Sequence, residues 1–138
     1  ANVYGERQGD GGEGGVISIF AKRLAKGQDI TIFGNGKQTR DFVYAGDIAR
    51  GIRLALTTPN ADTCYNLSTQ TEISLNELVT ILSRITGKEI TPSYGPAREE
   101  DIYRSSLSNE KAVKNLHWTP EVSLEEGLKR TYQYFVKK

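Results

Sequence analysis

The tetrapeptide Ser-Leu-x-Glu occurs twice, as Ser74-Leu-Asn-Glu77 and as Ser123-Leu-Glu-Glu126. Each reads as a capping box, in which the serine oxygen and the glutamate carboxylate satisfy amides left free at a helix start. Such a box states where a helix begins, and the residues behind it state which face is buried. Leu75, Leu78, Val79, Leu82 and Ile85 recur at helical spacing and stop at Gly87. Behind the second box, Leu128, Thr131, Tyr132 and Phe135 form the docking face of a final helix. Val16 to Lys26 carries Ile17, Phe20, Ala21 and Leu24 on one face and closes at Gly27. Asp47 is placed to cap a helix running to about Leu56, with Ile48, Ile52, Ala55 and Leu56 inward; a short helix follows Ser108, and Pro120 separates it from the last one.

Between these helices stand short apolar runs. Asp29-Ile-Thr-Ile-Phe33 alternates like a strand, Phe42 to Tyr44 and Tyr65 to Leu67 are further strand candidates, and Ile90 to Tyr94 is extended up to Pro96. The pattern is that of a mixed α/β unit. No repeat, low-complexity tract or linker divides it, so residues 1–138 read as one domain-sized unit. Residues 9–15, GDGGEGG, read as a flexible loop. The chain begins Ala-Asn-Val-Tyr-Gly and contains no methionine, which suggests a piece of a longer protein.

A net charge of +1, with lysines and arginines scattered, supplies no basic stripe for nucleic acid or a membrane surface, and neither is expected as a partner. The single cysteine, Cys64, excludes an internal disulfide and a multi-cysteine zinc site; in the run Cys64-Tyr-Asn-Leu67 it reads as a buried, inert thiol. No metal site is expected. Without a signal peptide or an apolar run near eighteen residues, a cytoplasmic location is the default expectation.

Two tempting motifs fail on context. Gly9-Asp-Gly-Gly-Glu-Gly14 has the G-x-G-x-x-G spacing, but the dinucleotide fingerprint needs a buried strand before it. Here Tyr4-Gly-Glu-Arg-Gln8 precedes it, and Asp10 and Glu13 would set negative charge against a diphosphate. Tyr134 and Lys138 have the Y-x-x-x-K spacing of a proton-transfer pair but sit at the frayed end of the last helix. His117 is the only histidine and, beside Trp118, reads as a packing residue, so no catalytic residue is assigned within the chain. What remains is an anion-handling set: Arg40 behind a glycine-rich turn, and Arg98 with Asp101 three residues on. An arginine fork grips phosphate oxygens and a carboxylate accepts two hydroxyls of a diol. Arg40 paired simply with Asp41, and residues 98–101 as a solvated loop, are the alternatives that spacing alone leaves open.

An ordered series of segments resolves this. Asn2-Val-Tyr-Gly5, Leu24-Ala-Lys-Gly27, Ile30-Thr-Ile-Phe-Gly34, Gln38-Thr-Arg-Asp-Phe-Val-Tyr44 with Asp47-Ile, Tyr65-Asn-Leu67, Pro96-Ala-Arg98 with Asp101, and Leu116-His-Trp-Thr-Pro120 resemble the C-terminal half of the NAD-dependent epimerase/dehydratase family, the extended short-chain dehydrogenases. The resemblance covers essentially the whole chain and is nearest to members that epimerise C4 of UDP-hexoses. It implies an α/β fold: the C-terminal substrate-binding portion of an NAD(P)-binding Rossmann-like protein, without its N-terminal Rossmann core. NAD and the Tyr/Lys catalytic pair then belong to the part upstream, and this portion alone is expected to be inactive. The resemblance implies that Asn2 contacts the substrate diphosphate, that Val16 and Ile17 cover the nucleoside, and that Thr31 and Phe33 hold the uracil. It makes Arg40 and Arg98 the two diphosphate clamps and Asp101 the carboxylate for the ribose hydroxyls. Ser105 falls beside the hexose, where a small residue leaves room for a 2-acetamido group.

The family has Pro where Glu6 stands, Pro-Gly where Glu99-Glu100 stand, and Gly where His117 stands, departures that bear on local loop shape and packing. The partners implied are a UDP-hexose and the Rossmann half, with self-association of the isolated portion and a homodimer for the parent. A sugar-nucleotide 4,6-dehydratase or reductase of the same family, and a stand-alone binding module, are the competing readings.

Overall fold

Ile30 and Ile32 alternate with Thr31 and Phe33, and the chain folds so that the two isoleucines face inward. In the computed structural model, which describes residues 1–9, 11 and 14–138, each isoleucine is 1% exposed. The rest of the glycine-rich loop, Asp10, Gly12 and Glu13, lies outside the described residues. Along the chain the elements are β1 (Asn2–Tyr4), α1 (Val16–Ala25), β2 (Thr31–Phe33), β3 (Thr39–Arg40), β4 (Phe42–Tyr44), α2 (Ala45–Thr57), β5 (Ile73–Ser74), α3 (Leu75–Thr86), β6 (Ser93–Gly95), α4 (Glu110–Leu116) and α5 (Leu124–Lys137). Among the described residues the strands form three separate two-stranded ladders. β1 and β4 are parallel with Val3 opposite Val43, β2 and β6 are parallel with Ile32 opposite Tyr94, and β3 and β5 are antiparallel with Arg40 opposite Ile73. Both parallel ladders close only after a helix has intervened, as parallel pairing requires.

β4 separates two cores. Phe42 joins Tyr4, Ile17, Phe20, Ile32, Leu78 and Leu128 on one side, while Val43 joins Ala112, Leu116 and Trp118 on the other. Helix α1 lies along α5, and Gly127 makes the approach close enough for Tyr4: a Cβ there would stand 2.0 Å from the tyrosine oxygen. Burial then pushes the Tyr4 phenol well above its usual range.

The first capping box is complete. Glu77 N–H donates to Ser74 Oγ (3.1 Å) and Ser74 N–H to Glu77 Oε2 (2.7 Å), and α3 ends at Gly87 in the left-handed region. The second is half formed: Ser123 Oγ accepts the Glu126 N–H, but the Glu126 carboxylate takes Arg130 Nε (2.8 Å) one turn on.

Several expectations are corrected by packing. Tyr44, not Asp47, caps α2; Asp47 sits in the first turn, buried, accepting the N–H groups of Glu121 and Val122. The inward stripe of α2 runs through Asp47 and Gly51, because Gly51 lies against Leu67 and Trp118 with no room for a Cβ. Ile48 packs partly inward, but Ile52 and Leu56, 57% and 80% exposed, are turned out. Tyr65–Leu67 joins no ladder; Tyr65 Oη donates to Asn60 O, and the next residue is held at Ser68, whose Oγ donates to Leu107 O and whose carbonyl accepts from Asn109 Nδ2. Cys64 is exposed rather than buried. His117 does not pack either: it is exposed and caps α4 at φ 53° and ψ 35°, a left-handed conformation that accounts for the glycine seen there in the family. Glu6 has a use of its own, accepting the Tyr44 hydroxyl at 2.7 Å; burial and this bond raise the Tyr44 phenol.

Two stability predictions result. His117→Gly relieves the left-handed strain and should raise stability by about 1 kcal/mol in thermal or urea unfolding; a fall would show that the side chain contributes more than its backbone costs. Gly127→Ala should lose roughly 1–3 kcal/mol, and Tyr4→Phe in the same background should recover part of it; an undiminished melting temperature would refute the close packing of Tyr4 on α5.

Candidate functional site

The first turn of α3 builds the floor of a cleft. Its leading amides donate to the Gly34–Gln38 turn, Leu75 N–H to Gln38 O (3.2 Å) and Asn76 N–H to Gly36 O (3.0 Å). Gly36 is required here: its φ is +75°, and a Cβ would stand 2.1 Å from Asn76 Oδ1. The turn delivers Gln38, Thr39 and Arg40 in extended conformation, so that Gln38 and Arg40 share a side and Thr39 takes the other.

A second segment, residues 98–104, straps across β3. Thr39 N–H donates to Tyr103 O at 2.8 Å, and Asp101 N–H closes a turn on Arg98 O at 3.2 Å. Arg40 Nη1 donates to Thr39 O (2.7 Å) and Ile102 O (2.5 Å), and Nη2 to Asp101 Oδ1 (2.5 Å). Gln38 Nε2 holds Phe33 O (2.7 Å) and reaches Asp101 Oδ2 at 3.4 Å. The Arg98 guanidinium lies over the Phe33 ring, 4.7 Å from its centroid.

Asn2, Val16, Thr31, Phe33, Arg40, Arg98 and Asp101 therefore line one cleft of about 230 Å³. Two expected residues are elsewhere. Ile17, one helical step beyond Val16, turns into the core at 1% exposure. Ser105 does not line the cleft, since the strap carries it four residues past Asp101. Gln38 went unassigned in the sequence, although its place two residues before Arg40 in an extended run puts it on the same side. Arg40 does not pair with Asp41. The buried Asp41 carboxylate instead accepts Thr69 N–H (2.9 Å), Thr69 Oγ1 (2.7 Å) and Gln70 N–H (3.1 Å).

A larger cavity, about 650 Å³, opens beside β1 and the end of α5, lined by Val3, Glu6, Arg7, Gln8 and Tyr134 among others. Its charges are opposed, whereas the smaller cleft brings two guanidiniums against one carboxylate and an aromatic ring, the better match to an anion carrying a base and a diol. Lys138 Nζ reaches the Tyr134 hydroxyl at 3.3 Å, at the end of α5 and outside the cleft. Of the Gly9–Gly14 motif, Asp10, Gly12 and Glu13 lie outside the described residues; β1, ahead of it, ends at Tyr4. No helix among the described residues is long and apolar enough to cross a membrane.

An α/β unit with this cleft has known counterparts: the chain belongs to the NAD-dependent epimerase/dehydratase family, whose model matches residues 1–68. More particularly, it is similar to UDP-glucose 4-epimerases. It is 38% identical over 138 residues to the UDP-glucose 4-epimerase of Mycolicibacterium smegmatis, covering 100% of this chain and 44% of that one. The crystal structure of the Thermotoga maritima UDP-glucose 4-epimerase with UDP-glucose superposes with a TM-score of 0.93 at 43% identity, covering 99% of this chain and 44% of that one. A UDP-glucuronic acid decarboxylase of Xenopus tropicalis is 32% identical over 137 residues, covering 99% of this chain and 32% of the relative. The chain thus spans less than half the length of these relatives.

Removing the buried carboxylate tests the architecture beneath the cleft. Asp41→Ala strands two backbone amides and a hydroxyl and should cost about 2–4 kcal/mol in denaturant unfolding; a loss under 0.5 kcal/mol, within the range of an ordinary surface change, would contradict the assignment.

Proposed function

We propose that this chain is the nucleotide-sugar-binding part of a UDP-hexose 4-epimerase that interconverts UDP-glucose and UDP-galactose. The observation that carries the reading is the convergence of Asn2, Thr31, Phe33, Arg40, Arg98 and Asp101 on one cleft from four separate stretches of chain. Phe33 and Thr31 offer a flat apolar wall for uracil. Asp101 offers carboxylate oxygens for the ribose hydroxyls. Arg40 and Arg98 offer the cationic donors for the diphosphate, and Asn2 an amide beside them.

Epimerisation at C4 requires the sugar to present first one face and then the other to the same reacting group. A grip confined to the nucleotide and diphosphate serves that need, since binding energy then comes from the part of the substrate that does not react. The lining side chains hold the remote end and leave the hexose unrestrained. On this reading NAD, which takes up and returns the C4 hydride in the whole enzyme, and the acid/base pair belong to the part of the protein outside this chain, and the chain alone is inactive. The similarity to a UDP-glucuronic acid decarboxylase keeps another nucleotide-sugar enzyme of the same family as the competing reading.

Calorimetric titration of the full-length protein with UDP-glucose, alongside its conversion to UDP-galactose, tests the assignment. Arg40→Ala should weaken binding by about tenfold or more, the loss of roughly one charge-assisted contact. Tight binding that survives this substitution unchanged would remove Arg40 from the clamp, and failure of the intact protein to form UDP-galactose would refute the 4-epimerase reading.

A further inference from the structure

Glu72 and Arg104 meet just outside the cleft, and neither lines it. Glu72 Oε1 accepts from Arg104 Nε (3.0 Å) and from Thr39 Oγ1 (2.6 Å), while Oε2 accepts from Arg104 Nη2 (2.7 Å). The guanidinium fork therefore engages both carboxylate oxygens, and a hydroxyl from a third segment joins them. The segments are the one before β5, the strap and β3. Thr39 takes part twice, through its hydroxyl here and through its N–H on Tyr103 O.

The other ties of the strap to the body of the protein are of a different kind. Arg40 holds Ile102 O and Asp101, and Gln38 holds Asp101. All of these draw on side chains that line the cleft. A diphosphate entering the cleft competes with Asp101 for Arg40, and a ribose diol competes with Arg40 for Asp101. Among the described residues, two ties do not use the cleft: the Thr39 N–H to Tyr103 O bond and the Glu72–Arg104 bridge.

We propose that Glu72 and Arg104 are positioning residues for nucleotide-diphosphate binding, their ion pair keeping residues 98–104 in place while Arg40 and Asp101 exchange each other for the ligand. The inference rests on the UDP-sugar reading of the cleft. Isolated surface ion pairs contribute little to stability, so the signature of this one lies in ligand affinity rather than in melting temperature. Arg104 and the Thr39 hydroxyl hold the Glu72 carboxyl down at about 2, so it stays charged at any pH where the protein is assayed.

The test uses the full-length protein and UDP as the probe, with affinities from calorimetry for wild type, Arg104→Ala, Glu72→Gln, Arg40→Ala and the Arg40→Ala/Arg104→Ala double variant. Arg104→Ala and Glu72→Gln should each weaken UDP about 3- to 10-fold, raise KM for UDP-glucose to match and leave kcat in place. Exchanging the pair, Glu72→Arg with Arg104→Glu, should recover most of the affinity. Because the bridge holds the strap that carries Arg98 and Asp101 and does so independently of Arg40, Arg104→Ala should weaken UDP at least as much in the Arg40→Ala background as in the wild type. A loss that disappears in the Arg40→Ala background, or no loss in the wild-type background, overturns the proposal. A wild-type protein that does not bind UDP overturns the reading of the cleft instead. Hydrogen exchange then still reads the anchor without ligand: Arg104→Ala should speed exchange at the Arg98–Arg104 amides, and unchanged rates there sink the idea of a bridge that holds the strap.

Discussion

Two buried carboxylates stand on either side of β4, and the rest of the molecule hangs from them. Asp41 precedes the strand and takes the backbone at Thr69 and Gln70; Asp47, one turn into the following helix, takes the backbone at Glu121 and Val122. The partners lie up to 75 residues away along the chain. Burying a carboxylate is costly unless its lone pairs are filled, and here backbone amides fill them, joined by the Thr69 hydroxyl at Asp41 and the Arg50 guanidinium at Asp47. The carboxylates therefore do more than neutralise themselves. They bring the loop leading to β5, and the linker leading to α5, to the two ends of the one strand that both cores share.

From that frame the cleft follows by short steps. The loop held by Asp41 leads through Glu72 to β5 and the capping box, the box starts α3, and the first amides of α3 seize the turn that presents Gln38 and Arg40. Arg40 then collects the strap. Its donors are already engaged by two carbonyls and a carboxylate before any ligand arrives, so it is at once part of the scaffold and part of the site. Arg98 is differently placed, its guanidinium over the Phe33 ring at 4.7 Å from the centroid.

Local chemistry was the readable part of the sequence. The box at Ser74, the glycine stops and the alternation of Ile30 with Thr31 depend on neighbours within a few residues, and all appear as read. The errors arise where a distant partner decides. The outward turn of Ile52 and Leu56 is set by Gly51 resting on Trp118, which no spacing within α2 reveals. Arg40 pairs not with Asp41 beside it but with Asp101, 61 residues away. Adjacent residues in an extended chain point to opposite sides, so that neighbour was the one partner the geometry disfavoured. The same step of one residue separates Val16 in the cleft from Ile17 in the core, and a resemblance that placed both together could not distinguish them.

The cleft is assembled from residues as far apart as Asn2 and Asp101, and its two parallel ladders close only across intervening helices. Contacts of such long sequence separation form late, because the entropy of closing each loop is spent before the contact can return anything. The full set of lining groups exists only where these distant stretches are packed together. On the nucleotide-sugar reading, a ligand in the cleft therefore stabilises the folded unit as a whole rather than any one element.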